Sequence, residues 1–271
     1  MTEPRAEAAR EFLAFYLEAG VDMPLGEVAI DRLAAAAVAP APTVEAPPRA
    51  SVREPLRREA APPPAAAAPV APDTAVMAAR EAARSAASLE VLRGILETFE
   101  GCALRVTAKQ LVFADGNPQA RVMFVGEAPG REEDLEGLPF VGRSGKLLDR
   151  MLAAIGLNRT TAYIANIVPW RPPGNRTPTP QESQICLPFV RRQIELADPD
   201  VLVCMGGPAA AALLGVKEGI KRTRGRWFPY DTGTREVRAI ATFHPAYLLR
   251  SPLEKRLAWR DFLAIKKALA G

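Results

Sequence analysis

Histidine is nearly absent from this chain: His244 is the only one among 271 residues. Metal ligands come in clusters, so a histidine-built metal site is excluded. Cysteine is almost as scarce. Cys102, Cys186 and Cys204 are odd in number and far apart, which argues against a disulfide framework and fits a reducing compartment. No apolar run approaches the roughly 18 residues of a membrane span, and the start lacks the basic, apolar and small-residue order of a signal peptide. Cytoplasm is therefore the expected location, with no membrane contact. Neither a Walker nor a dinucleotide glycine spacing occurs, which weakens a nucleotide-binding reading. Charge is not strongly of one sign either: 35 basic residues against 31 acidic ones leave a net charge of +4. That balance permits a phosphate-bearing partner without requiring one.

What the chain does have is organised in three parts. Residues 1–38 contain a short helical pattern, with Phe12, Leu13, Phe15 and Tyr16 at helical spacing. Residues 39–73 are rich in alanine and proline and have no period that could bury a face, so they read as a flexible linker. The main domain, residues 74–271, opens with a helical pattern from Thr74 to Glu100 that stops at Gly101. Thereafter β-rich runs at Val122–Val125, Ala162–Val168, Val201–Met205 and Val237–Phe243 alternate with helical stretches at Gly145–Ile155, Pro180–Leu196, Ala209–Leu214 and Leu253–Leu269. Such alternation predicts an α/β fold with a mainly parallel sheet covered on both faces. Trp227–Tyr230, followed by Asp231-Thr232-Gly233, reads as an added hairpin.

In parallel sheets, functional groups collect in loops at the C-terminal ends of the strands. Gly126-Glu127-Ala128-Pro129-Gly130 follows the first strand as a tight turn and leads into acids including Glu132 and Glu133. Those acids are either a reactive cluster or a solvated helix start. Phe140, in Leu138-Pro139-Phe140-Val141-Gly142, either plugs the core or offers a flat face to a planar ligand. Asn166 ends a strand, where asparagine is depleted. Its amide either caps a turn or reads a donor–acceptor edge. His244 opens His244-Pro245-Ala246-Tyr247-Leu248-Leu249-Arg250 after the last strand and is either packed or functional. Lys146, Arg171, Arg176, Lys221, Arg222, Arg224 and Arg250 are either dispersed surface charge or a phosphate-tracking rim.

These segments, in this order, resemble the uracil-DNA glycosylase superfamily, and its family 4 most closely. The resemblance runs from about Cys102 to the C-terminus. It implies a three-layer α/β/α sandwich around a central, mainly parallel four-stranded sheet, and a pocket that receives a uracil flipped out of DNA. By the same resemblance, Phe140 stacks on the base, Asn166 pairs with its O4 and N3 edge, and His244 donates to O2. Glu127 holds the water or faces the cationic sugar, Glu133 closes the pocket beside C5, and Gly126 and Ala128 complete the substrate-binding loop. Leu248 and Leu249 are placed to wedge into the gap left by the base, as apolar side chains do in other DNA-binding proteins. The implied product is an abasic site in base excision repair.

One departure from the family pattern concerns its usual iron-sulphur cluster. Cys102 and Cys186 match two of the four cluster cysteines, whereas Phe99 and Trp170 stand at the other two positions. Two thiolates do not supply four ligands, so no cluster and no other metal is expected. Cys204 reads as a core residue. The loop from Val168 to Thr179 contains no histidine to form the covalent DNA adduct of one relative in the superfamily, so turnover is expected. A competing reading is a non-catalytic DNA-binding module of the same fold. A monomer is expected, with residues 1–73 available to a protein partner.

Overall fold

The computed structural model describes residues 72–270. The expected helical unit within 1–38, and the linker up to residue 71, lie outside the described residues. Among the described residues three helices come first: α1 (Pro72–Ser85), α2 (Leu89–Thr98) and the single turn α3 (Leu104–Thr107). The one helix expected over 74–100 is therefore two. The physical reason is Ser88, whose hydroxyl accepts from the Val91 amide at 3.3 Å and starts a new helix. Pro72 and Asp73, expected at the end of the linker, begin α1 instead.

The alternating part follows as β1 (Asp115–Gly116), β2 (Val122–Gly126), α4 (Arg131–Glu136), α5 (Arg143–Ala154), β3 (Tyr163–Asn166), α6 (Pro180–Ala197), β4 (Val201–Met205), α7 (Gly207–Leu214), α8 (Ile220–Thr223), β5 (Trp227–Asp231), β6 (Glu236–Thr242), α9 (Pro245–Arg250) and α10 (Lys255–Ala270). The six strands lie in the order β1-β3-β2-β4-β6-β5. The inner four are parallel to their neighbours, and both edges are antiparallel. The expected four-stranded parallel sheet is thus the centre of a mixed six-stranded one. Trp227–Asp231 forms the anticipated hairpin with β6.

Every residue of β2 is buried, because both faces of the sheet are covered. Met123 and Val125 point into a core shared with α1, α2, α6 and α7, where Leu92, Phe189 and Leu213 pack. Val122 and Phe124 point into the other core, against Leu148 and Leu152 of α5 and Phe262 and Ile265 of α10. Period-two alternation along one strand thereby joins both helical layers. At the C-terminal ends of the strands the ladder continues into the loops: Ile167 donates to the Gly126 carbonyl at 2.9 Å and Val168 to that of Glu127 at 3.0 Å. The loop after β2 is consequently fixed against the loop after β3.

Candidate active site

A cleft of about 800 Å³ opens where β2, β3, β4 and β6 end. Its lining includes Glu127, Ala128, Glu133, Phe140, Asn166 and His244, so the structure brings together side chains spread over more than a hundred positions. Gly126 is buried and outside the lining, against the Asn166 and Phe140 side chains. A Cβ there would stand 2.5 Å from Asn166 Oδ1 and 2.6 Å from the Phe140 ring, so only glycine lets both approach.

Two buried polar atoms in this cleft, Glu127 Oε1 and Asn166 Oδ1, have no hydrogen-bond partner. Such atoms cost free energy unless a ligand or water satisfies them. Asn166 is only 4 % exposed and its register partner on β2 is Gly126. Burial also pushes the Glu127 carboxyl above the ordinary carboxylate range.

His244 is the N-cap of α9, not part of the loop expected from the sequence, and Pro245 takes the first helical position. Its Nδ1 accepts from the Ala246 amide at 3.1 Å. The ring proton must then sit on Nε2. Burial, with a smaller contribution from Arg250, pulls the imidazole pKa down to about 4. At neutral pH the ring is uncharged and has one N–H to give. It lies 5.3 Å from the Phe140 ring, tilted by 31°.

The acids after the glycine turn divide by role. Glu132 is exposed, as a solvated helix start requires. Glu133 is buried: one carboxylate oxygen accepts from Gly130 at 3.0 Å and the other from Gly142 at 3.0 Å. It fastens the turn after β2 to the turn that follows Phe140. Asp134 is buried as well and accepts from the Lys109 amide at 2.8 Å.

The expected DNA-facing residues part company. Leu249 and Arg250 line the cleft and are exposed. Leu248 is buried with Phe243 and Ala258, so it is a core residue and not the wedge expected of it. Helical periodicity in α9 turns neighbouring side chains to different faces. Arg176 reaches the cleft edge, but its guanidinium is forked onto Glu182 at 2.6 and 2.8 Å. Arg171 is tied to Asn175 at 2.6 Å and lies 3.8 Å from Asp134, outside the lining. Lys146 is exposed on α5, also outside it. Sequence reasoning missed Arg131 and Arg143, which are exposed at the rim. It also missed the Gly206-Gly207 pair after β4, whose position behind a strand was a usable signal. Gly206 has φ of +97°, and a Cβ there would stand 3.2 Å from that of His244.

Away from the cleft, the Cys102 and Cys186 sulphurs are 4.0 Å apart and buried. Phe99 packs edge-on against Phe189 at 4.9 Å and lies over Gly101, and Trp170 is fully buried in the same core. The Cys102–Cys186 pair offers two thiols, a donor set that does not fit a four-thiolate cluster.

The strand ends of this α/β/α sandwich present an orphaned amide oxygen, an orphaned carboxylate oxygen and an uncharged imidazole around an aromatic ring. The profile of the Uracil DNA glycosylase superfamily matches residues 113–263, and the chain belongs to that family. It is 42% identical over 168 residues to the Type-4 uracil-DNA glycosylase of Archaeoglobus fulgidus, covering 60% of this chain and 84% of that one. Against the Type-4 uracil-DNA glycosylase of Thermotoga maritima it is 43% identical over 165 residues, with 60% and 84% covered. For the Type-4 enzyme of Saccharolobus solfataricus the figures are 36% over 188 residues, with 68% and 87% covered.

Proposed function

We propose that the chain is a uracil-DNA glycosylase that takes a uracil flipped out of DNA and hydrolyses its glycosidic bond, releasing free base and leaving an abasic site. The observation that carries this reading is the pair of orphaned buried atoms, Asn166 Oδ1 and Glu127 Oε1, in one cleft beside a neutral histidine. Duplex DNA hides the bond to be cut, so the nucleotide must leave the stack at a cost of about a few kcal/mol, least for a mispaired base. Phe140 supplies a flat face for it. The Asn166 oxygen accepts from N3–H and its amide nitrogen donates to O4. The opposite polarity at cytosine's N3 and N4 then mismatches the same side chain.

Breaking the C1′–N1 bond leaves positive charge on the sugar and negative charge on the uracil. His244 Nε2–H donates to O2 as that charge develops. Its low pKa suits it to hydrogen bonding without full proton transfer. Glu127 faces the sugar, stabilises its charge and holds the water whose oxygen becomes bonded to C1′; its carboxylate takes the water's proton, and the departing uracil anion is protonated from solvent. Glu133 acts by position, through the Gly130 and Gly142 amides, and closes the pocket wall beside C5. Leu249 fills the gap in the stack, while Arg131, Arg143 and Arg250 meet phosphates. The catalytic unit begins with α1 at Pro72 and works as a monomer without an iron-sulphur cluster. Residues 1–71 are left to a protein partner.

The test is product analysis on a uracil-containing oligonucleotide with purified protein and a chelator. Free uracil and an alkali-labile abasic site are expected. Retained DNA binding with no base release at high protein would instead identify a binding module of the same fold.

A further inference from the structure

We infer that Arg159, which lies between α5 and β3, is the positioning residue for the base-stacking ring. The inference rests on the glycosylase reading above and deepens it. Phe140 has φ of +56°, a left-handed conformation that a bulky residue adopts only when its surroundings enforce it. Two features enforce it. On one side Arg159 donates from Nη1 to the Pro139 carbonyl at 3.1 Å and from Nη2 to the Phe140 carbonyl. On the other, α5 presses its backbone against the same carbonyl at Gly145, where any Cβ would overlap the Phe140 oxygen.

The guanidinium is itself held from outside. Asp115 of β1 pairs with Nη1, and Asp149 of α5 accepts from Nε at 2.8 Å. Its side chain is one quarter exposed, and its fork spans two consecutive carbonyls, a geometry that a lysine ammonium does not reproduce. Arg159 is not in the lining of the cleft and reaches it only through the Phe140 backbone. It determines where the Phe140 ring lies over Gly126 and beside His244, and hence the slot into which a pyrimidine slides.

The experiment is a double-mutant cycle in single-turnover uracil release, combining Arg159→Lys with Phe140→Ala, accompanied by calorimetric binding of free uracil and by melting curves. Arg159→Lys is expected to slow release about tenfold and to weaken uracil binding in the unmodified background. With Phe140→Ala already present it should change the rate by less than about twofold, because the two substitutions remove one and the same interaction. If Arg159→Lys fails to fold, the cycle is run with Asp115→Asn, which loosens the guanidinium from outside and is expected to act in the same direction by a smaller factor. Equal slowing in both backgrounds, or no slowing in either, would overturn the inference while leaving the glycosylase reading intact. No uracil release by the unmodified chain would remove that reading and this inference with it.

Discussion

Asn166 Oδ1 and Glu127 Oε1 lie buried in the cleft with no protein partner, and the protonation of Glu127 and of His244 follows from their burial. Because the His244 pKa falls to about 4, the folded chain resists protonating it. Between that value and the ordinary imidazole pKa of about 6.5, the unfolded chain binds more protons than the folded one. Stability therefore rises with pH through this window and is lost as the pH falls through it. Urea midpoints at the two ends of the window, compared between the unmodified chain and His244→Gln, should show that contribution vanish in the variant. Glu127 has the opposite displacement, upward by burial. The acid limb of single-turnover release is then expected above the ordinary carboxylate range, and Glu127→Gln should flatten it at a low residual rate. Leu248 and Leu249 separate packing from DNA contact. Leu248→Ala should cost about 2–5 kcal/mol of stability, measured by denaturation. Leu249→Ala should spare stability and slow release from duplex more than from single-stranded DNA. The sequence made Asn166 legible, since asparagine ending a strand needs a reason. Arg159 was not legible: the carbonyls it holds are 19 and 20 positions away, and nothing local distinguishes it from a surface arginine.

At the scale of elements, the four inner strands were readable because burial on both faces demands continuous β-branched and apolar runs. The edge strand β1 was not, since Asp115 and Gly116 both oppose strand propensity and are recruited only by pairing with β3. The segment after His244 reads as a loop because Pro245 starts it, yet proline at the first helical position favours the short helix α9 that results. That helix buries Leu248 and exposes Leu249, a distinction invisible when both are placed in a loop. The break between α1 and α2 was likewise written in Ser88 but hidden by apolar periodicity on either side. The contact of α5 with the Phe140 turn gives a direct check. Gly145→Ala should destabilise the fold by more than the roughly 1–3 kcal/mol of ordinary overpacking, because the new Cβ meets backbone of Phe140. It should also slow uracil release in the same samples, whereas a stability loss without a kinetic one would detach this contact from the site.

For the whole molecule, the two helical layers meet through the sheet; Cys102, Cys186 and Trp170 belong to the larger core and Phe99 packs against it. Packing there is proposed to take the structural place of a cluster. Anaerobically purified protein should contain no iron, and a chelator should leave its melting temperature unchanged. Trp170→Ala should cost about 3–5 kcal/mol by cavity formation. Stoichiometric iron would refute this part of the account. The fold and the site's company were legible because the functional loops follow strands in a fixed order. What remained hidden was how side chains from distant loops restrain one another, since long-range hydrogen bonds leave no periodic trace. The central claim, that Asn166 reads and stabilises a uracil whose bond this cleft hydrolyses, is tested most directly by single-turnover uracil release alongside affinity for the same DNA. Asn166→Ala should slow release by about a hundred- to a thousandfold while leaving DNA affinity nearly unchanged. Parallel loss of rate and affinity, or no release by the unmodified chain, would contradict it.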